Sequence, residues 1–265
     1  MERIASRSNP LIAHVRKLAS SGAYRRECGA FVCDGPKLLR EALLYGGILQ
    51  AVLYTDGAEG FCTNSAELPP IPSNVRVAAV PPDIMRTVSP SKTPQGVLCV
   101  CAIPDRPAPQ SLSGRRYVVL DAVQDPGNVG TILRTADAFG ADGAFLLDGC
   151  ASVWNPKTIR ATMGAAFRAP SWNVSAAELG ELLRRSEIPL YGAALGPDAR
   201  NIRDVDFSKC AVAIGSEGRG LSETVLSMCA GTFRIPMNPR CESLNAAIAA
   251  AVILWEAARL DNPQI

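Results

Sequence analysis

Histidine is almost absent from this chain of 265 residues: only His14 occurs, so neither a multi-histidine metal site nor a histidine-centred triad has the partners it needs. His14 itself reads as a surface residue. Cysteine is not scarce, but its nine copies are an odd number and the closest pair, Cys99 and Cys101, does not make Cys-x-x-Cys. No disulfide framework and no metal are expected, and buried reduced thiols are the default. Met1 to Pro10 has no apolar signal region, and the longest unbroken apolar run, Ala246 to Trp255, is too short to span a bilayer. The expectation is a cytoplasmic protein that makes no use of a membrane. Two nucleotide fingerprints are missing as well. No Gly-x-x-x-x-Gly-Lys-Ser/Thr occurs, and Gly215, Gly218 and Gly220 do not make Gly-x-Gly-x-x-Gly.

What is present fills two ordinary domains, with 48% hydrophobic residues available for their cores. Net charge is only +2, yet residues 1–27 hold Arg3, Arg7, Arg16, Lys17, Arg25 and Arg26 against Glu2 and Glu27. Beside Ser6, Ser8, Asn9 and the tip Ser20-Ser21-Gly22, these cations could follow a phosphate backbone. A solvated helix face would look much the same.

Apolar spacing predicts a helix over Asn9–Ala19, a strand at Ala30–Cys33, a helix over Gly35–Tyr45 ended by Gly46-Gly47, and a strand at Ile48–Tyr54. Asp56–Ser73 is rich in Gly, Pro, Asn and Ser and reads as loop. Strands at Val75–Val80 and Val97–Ala102, with a helix at Asp83–Val88 between them, complete a small α/β unit. The polar run Val88–Gly96 is either a contact loop or an ordinary connection. Pro104–Arg116, with three prolines and little apolar content, reads as a linker, giving domains at 1–103 and 117–265.

Beyond it, strands are expected at Tyr117–Leu120, Gly143–Leu147, Leu190–Ala194 and Cys210–Ile214. Helices are expected at Asn128–Phe139, Pro156–Phe167, Ala176–Arg185 and Leu221–Met228. This alternation predicts an α/β fold with a largely parallel sheet and helices on both faces. At the end, Phe233 and Ile235 form a short strand stopped by Pro236. Glu242, Ser243 and Asn245 then open a helix with Leu244, Ala247, Ile248, Ala251, Val252 and Trp255 on its apolar face.

Three polar loops follow strands and precede helices, so they should meet where an open parallel sheet binds ligands. They are Asp121–Gly130, Gly215–Ser222 and Ile235–Asn245. In the first, Asn128 is a candidate helix cap and Arg134 lies in the second turn of the helix.

The residues of these loops carry a resemblance. Asp125-Pro-Gly-Asn-Val-Gly-x-x-x-Arg134-Thr-Ala, Ile214-Gly-Ser-Glu-Gly-Arg-Gly-Leu-Ser222 and Ile235-Pro-Met-x-x-x-x-Glu-Ser-Leu-Asn245 resemble, in order, the three motifs of the SpoU (TrmH-type) RNA 2′-O-ribose methyltransferases. Residues 1–102, through Ser8-Asn-Pro-Leu-Ile and Phe31-Val-Cys-Asp-Gly, resemble the ribosomal-protein-like RNA-binding domain that many members carry in front. The third motif departs from many relatives in having Asn238-Pro-Arg-Cys241 where they have a glycine-containing turn.

The resemblance implies a SPOUT fold with a deep trefoil knot, S-adenosylmethionine bound in the knot, and a homodimer through the C-terminal domain. By position it places Gly215, Ile235 and Leu244 against the cofactor, with Leu195, Gly196, Glu217, Gly218, Met237, Ser243 and Asn245 nearby. It also implies transfer of the sulfonium methyl to a ribose 2′-hydroxyl, in ribosomal RNA by preference, with no metal needed. A guanidinium with a pKa above ~12 is a poor base, so Arg134 is expected to stabilise the developing alkoxide and contact a phosphate. Asn128, Glu217, Ser243 and Asn245 would orient ribose, cofactor or Arg134. RNA would lie against Arg7, Arg16, Lys17, Arg25 and Arg26, extended by Lys157 and Arg160. Methylation of tRNA ribose or of a base nitrogen is one alternative, and a non-catalytic RNA-binding or assembly factor is another.

Overall fold

A computed structural model describes residues 2–58, 60 and 69–259. The chain forms two compact units, one of Met1–Asp105 with Val153–Phe167 and the other of Arg106–Ser152 with Arg168–Ile265.

The first unit holds a five-stranded mixed sheet in the order β1-β4-β3-β5-β2, made of β1 (Glu2–Arg3), β2 (Ala30–Asp34), β3 (Leu49–Tyr54), β4 (Arg76–Ala79) and β5 (Val97–Ala102). Helix α1 (Pro10–Ser20) starts where Asn9 accepts the Leu11 N–H. Its Ile12, Val15 and Leu18 pack with Val32, Leu53 and Leu98. A second helix, α2 (Gly22–Cys28), was not anticipated; it is too short for periodicity to reveal, and is set by the Ser21 cap and by Gly29 at φ 57°. Helices α3 (Pro36–Leu44) and α4 (Pro82–Val88) lie close to their expected bounds. Of the loop expected over Asp56–Ser73, residues 59 and 61–68 lie outside the described residues.

His14 is half-buried rather than on the surface, because its ring packs edge-on against Tyr24 and meets the hydroxyl at 2.9 Å. The opposite pleat face from Val32 carries Phe31 and Cys33, and the Phe31 ring packs at a tilt against Trp154, centroids 4.7 Å apart. Antiparallel pairing of β2 with β5 puts Cys33 opposite Cys99, so the sulfurs of Cys33, Cys99 and Cys101 all lie within 4.8 Å of one another. Spacing along the chain could not reveal this trio.

The helix expected at Pro156–Phe167 is two: α6 (Pro156–Thr162) and α7 (Ala165–Arg168). The break falls at Met163 and Gly164, both with positive φ. A Cβ on Gly164 would sit 2.5 Å from Glu41 Cγ, so glycine is needed there for space as well as for conformation.

In the second unit a seven-stranded, all-parallel sheet runs β10-β12-β9-β11-β6-β7-β8. Its strands are β6 (Arg116–Asp121), β7 (Gly143–Leu146), β8 (Ser171–Asn173), β9 (Leu190–Ala193), β10 (Arg200–Asn201), β11 (Cys210–Gly215) and β12 (Gly231–Arg234). Runs such as Val118-Val119-Leu120 are buried throughout, as expected of strands covered on both faces. The helices are α5 (Pro126–Ala138), α8 (Ala176–Arg185), α9 (Glu223–Met228) and α10 (Ala246–Arg259). A capping box of Ser175 and Glu178 starts α8.

Two expectations are corrected here. Asp125, not Asn128, caps α5: its carboxylate accepts the Asn128 N–H at 3.0 Å, which leaves the Asn128 side chain free for other partners. On α10 the buried face is Ala246, Ala247, Ala250, Ile253, Leu254, Ala257 and Ala258, while Ile248, Val252 and Trp255 are exposed. The helix is apolar nearly all round, so a 3.6-residue period fits more than one face. No helix among the described residues is long and apolar enough to cross a membrane.

Candidate active site

The neighbouring strands β12, β9, β11 and β6 bring their following loops to one end of the sheet. There the loops after β9, β11 and β12 enclose a cavity of about 400 Å³ lined by Leu195, Gly215, Glu217, Gly218, Ile235, Met237, Ser243 and Leu244, all expected at the cofactor. Gly196 and Asn245 are the expected residues that do not line it. Further lining comes from Ser216, Leu221, Leu226, Phe233 and the Ala246 and Ala249 face of α10. These were missed because small and apolar residues in strand ends carry no chemical signature.

Backbone geometry shapes the floor. Ser216 and Gly220 exchange two main-chain hydrogen bonds, at 3.1 and 2.9 Å, closing a tight turn with Gly220 at φ 67°. A Cβ on Gly215 would lie 2.1 Å from the Gly220 carbonyl carbon, so a side chain there would force the turn open. Asp121 supports the turn from the end of β6; it is buried and accepts the Ser222 N–H at 2.7 Å.

On the rim the three polar loops are tied together. Asn128 Nδ2 donates to Glu217, and Asn245 Nδ2 donates to Asn128 Oδ1 at 3.2 Å. Asn245 Oδ1 in turn accepts the Ala247 N–H at 2.9 Å, capping α10. One residue from each loop thus joins a single chain of hydrogen bonds. Arg134 stands apart: α5 begins earlier than expected, so Arg134 is in its third turn, exposed, and no hydrogen bond or ion pair holds it among the described residues. Six residues separate it from Asn128, which puts it about 9 Å along the axis and about 120° round the helix.

Burial pushes the Cys150 thiol up to about 11 and the Cys229 thiol likewise to about 11, and both thiols donate to main-chain carbonyls. The lining itself fits a flat apolar group with a polar tail. Leu195, Leu226, Ile235, Met237 and Leu244 supply the walls, Glu217 and Ser243 supply polar contacts, and the bare backbone at Gly215 supplies close approach.

Among the remaining expected residues, Arg16, Lys17 and Arg26 are exposed on α1 and α2, with the Lys17 ammonium 5.3 Å from the Tyr24 ring centroid. Arg7 pairs with Asp83 at 2.8 Å. Arg25 is buried and donates to the Leu18 carbonyl at 2.6 Å, an arrangement that ties α2 to α1 and withdraws the cation from the surface. Lys157 is exposed, and Arg160 donates to Ser91 Oγ at 2.8 Å.

A parallel α/β sheet with an apolar, glycine-floored cavity at its strand ends defines a small-ligand-binding enzyme domain. The chain belongs to the SpoU rRNA Methylase family, whose model matches residues 115–255; residues 9–99 match the MRM3-like substrate binding domain. It is 30% identical, over 96% of this chain and 98% of the relative, to the 23S rRNA (guanosine(2553)-2′-O)-methyltransferase RlmP of Bacillus subtilis. To the 23S rRNA (uridine(2479)-2′-O)-methyltransferase of Streptomyces viridochromogenes it is 32% identical, over 97% of this chain and 92% of that one. Among solved structures, the AdoMet-bound rRNA methyltransferase of Sinorhizobium meliloti superposes with a TM-score of 0.85, at 30% identity and 98% coverage of both chains.

Proposed function

We propose that this protein is an S-adenosylmethionine-dependent methyltransferase acting on a ribose 2′-hydroxyl of ribosomal RNA. The observation that carries the reading is the hydrogen-bonded chain Glu217–Asn128–Asn245 on the rim of the cavity, built from one residue of each motif. The choice of ribosomal RNA rests on whole-length relatives named for that substrate.

When bound, S-adenosylmethionine supplies an activated methyl group, so the protein has to bind, align and stabilise charge. The turn at Gly215–Gly220 and the walls of Ile235, Met237 and Leu244 hold the cofactor. Glu217, Asn128, Ser243 and Asn245 orient the ribose edge. Arg134 would place a permanent positive charge beside the 2′-oxygen, stabilising the alkoxide that develops as the hydroxyl proton passes to solvent water. Arg134 is exposed and does not line the cavity of its own chain, and is therefore assigned to a site completed by a second copy. Exposed Ile248, Val252 and Trp255 on α10, which packs along α5, support a homodimer through this face.

The C-terminal segment is assigned the family's trefoil knot; the sharing of one cavity by residues 215–221 and 233–246 supports it. Residues 1–103 are assigned to RNA binding, with Arg16, Lys17 and Arg26 on phosphates, and 117–265 to catalysis. The cytoplasm is the assigned compartment.

The test is transfer of labelled methyl from S-adenosylmethionine to deproteinised ribosomal RNA from cells lacking the protein. A labelled 2′-O-methylnucleoside after digestion is the expected product. A labelled base would overturn the chemistry, and label confined to tRNA would overturn the substrate.

A further inference from the structure

Three stretches singled out in the sequence have no part in the cavity at the parallel strands: Phe31-Val-Cys-Asp-Gly, the polar run Val88–Gly96, and Arg160. In the first unit they meet. Asp34 ends β2, Lys37 begins α3, Ser91, Thr93 and Gln95 come from the polar run, and Arg160 comes from α6. Together they line a cavity of about 220 Å³, with Leu38 and Met163 as its apolar part.

The cavity is built rather than incidental. Arg160 Nη1 donates to Ser91 Oγ at 2.8 Å, the Ser91 N–H donates to Ser89 Oγ at 2.9 Å, and Ser89 Oγ donates to Asp34 Oδ2 at 2.5 Å. This relay holds the loop in place around the space. Gly35 has φ 107°, and a Cβ there would lie 2.3 Å from Gln95 Oε1, so the Gln95 amide rests against bare backbone. The second carboxylate oxygen, Asp34 Oδ1, is buried, with the Ser91 and Gln95 main chain beside the carboxylate.

The chemistry of the lining defines its occupant. Lys37 and Arg160 outnumber the one carboxylate, which favours an anion; Asp34 and Gln95 offer acceptors to N–H groups; Thr93 offers a hydroxyl; Leu38 and Met163 offer an apolar surface. A nucleotide combines these features. The space is below the roughly 300–1,000 Å³ of a drug-sized site, which excludes a duplex and suits one unstacked base. Single-stranded RNA is recognised through bases splayed out in this fashion.

We propose that this cavity takes one extruded, unpaired nucleotide of the RNA substrate, its phosphate on Lys37 and Arg160 and its base edge on Asp34 and Gln95. The inference rests on the RNA-substrate reading above and adds a point of sequence discrimination away from the methyl-transfer site.

The test is binding of the full-length protein to deproteinised ribosomal RNA across a salt series, for wild type, Lys37→Ala and Gln95→Ala. Both side chains are exposed, so both variants should fold, which thermal melting checks; Thr93→Val stands in for either if it does not. Lys37→Ala should weaken binding about tenfold and lower the slope of log affinity against log salt by about one, the signature of a lost phosphate contact. Gln95→Ala should weaken binding about tenfold with the slope unchanged, the signature of a neutral base contact. Cofactor affinity should not move in either. Binding within twofold of wild type in both folded variants would overturn the proposal, as would loss at Lys37 alone, which marks a surface cation and no base pocket. Since binding is read directly, a wild type that transfers no methyl group but shows both losses would defeat the reaction and leave the pocket standing.

Discussion

The two units build their cavities by opposite routes. In the second, every strand around the cavity runs the same way, so each loop after a strand arrives at the same end, and the motif residues Asn128, Glu217 and Asn245 meet although more than a hundred positions separate the first from the last. In the first, β5 runs antiparallel to β2 and β3, no such rule gathers the loops, and the cavity at Asp34 needs Arg160 from a segment inserted far along the chain. A parallel sheet makes its site readable from the order of loops. A mixed sheet does not.

The sharpest way to break this comparison is at Arg134, which belongs to the motif set but not to the cavity. Arg134→Ala should lower kcat by about 10²–10³-fold, the cost of losing one preorganised charge, while cofactor affinity measured by calorimetry stays within a few-fold. Equal loss of both would make Arg134 structural and return the first motif to the cavity.

Next in size is Gly215→Val. Overpacking against Gly220 should cost about 1–3 kcal/mol of folding stability, lowering the melting temperature by several degrees, and the displaced turn should weaken cofactor affinity roughly tenfold. An affinity close to wild type would mean that the turn yields and does not shape the floor.

A smaller change is expected from the exposed side of α10. Replacing Val252 by Asp and Trp255 by Ser should shift a dimer to monomer in sedimentation, with the dissociation constant raised at least tenfold and the monomer still folded. An unchanged dimer would place the interface elsewhere.

The smallest effect concerns the first unit. Burial lowers the pKa of His14, so the folded state protonates it less readily than the unfolded state does. Its contribution is fully present above the ordinary value of about 6.5 and is lost as pH falls through the lowered one. Urea midpoints should therefore drop between pH 7.5 and 5.5, and His14→Phe should flatten the drop. A slope retained in the variant would assign it to other groups.

The active-site loops were legible because their residues are polar, spaced at set offsets, and flanked by strands and helices whose periodicity is plain. The cavity walls were not, since Phe233, Ala246 and Ala249 look like any core residue. Arg25 and Arg16 are indistinguishable on paper, yet one is buried on the Leu18 carbonyl and the other is exposed. Cys33 and Cys99 are neighbours only through strand pairing.

By itself, the chain's pattern of apolar residues, caps and glycines determined the longer strands and helices, though not short elements such as α2, β8 and β10, and the run of strand–loop–helix units determined a parallel sheet with ligand loops at one end. These are local properties, set within a turn or two of backbone. Tertiary structure alone decided which face of α10 was buried, that Asn128 would join Glu217 and Asn245, and that residues 153–167 would pack with the first unit. Each of those outcomes is a choice between partners of similar local merit, and only packing against distant parts of the chain separates them.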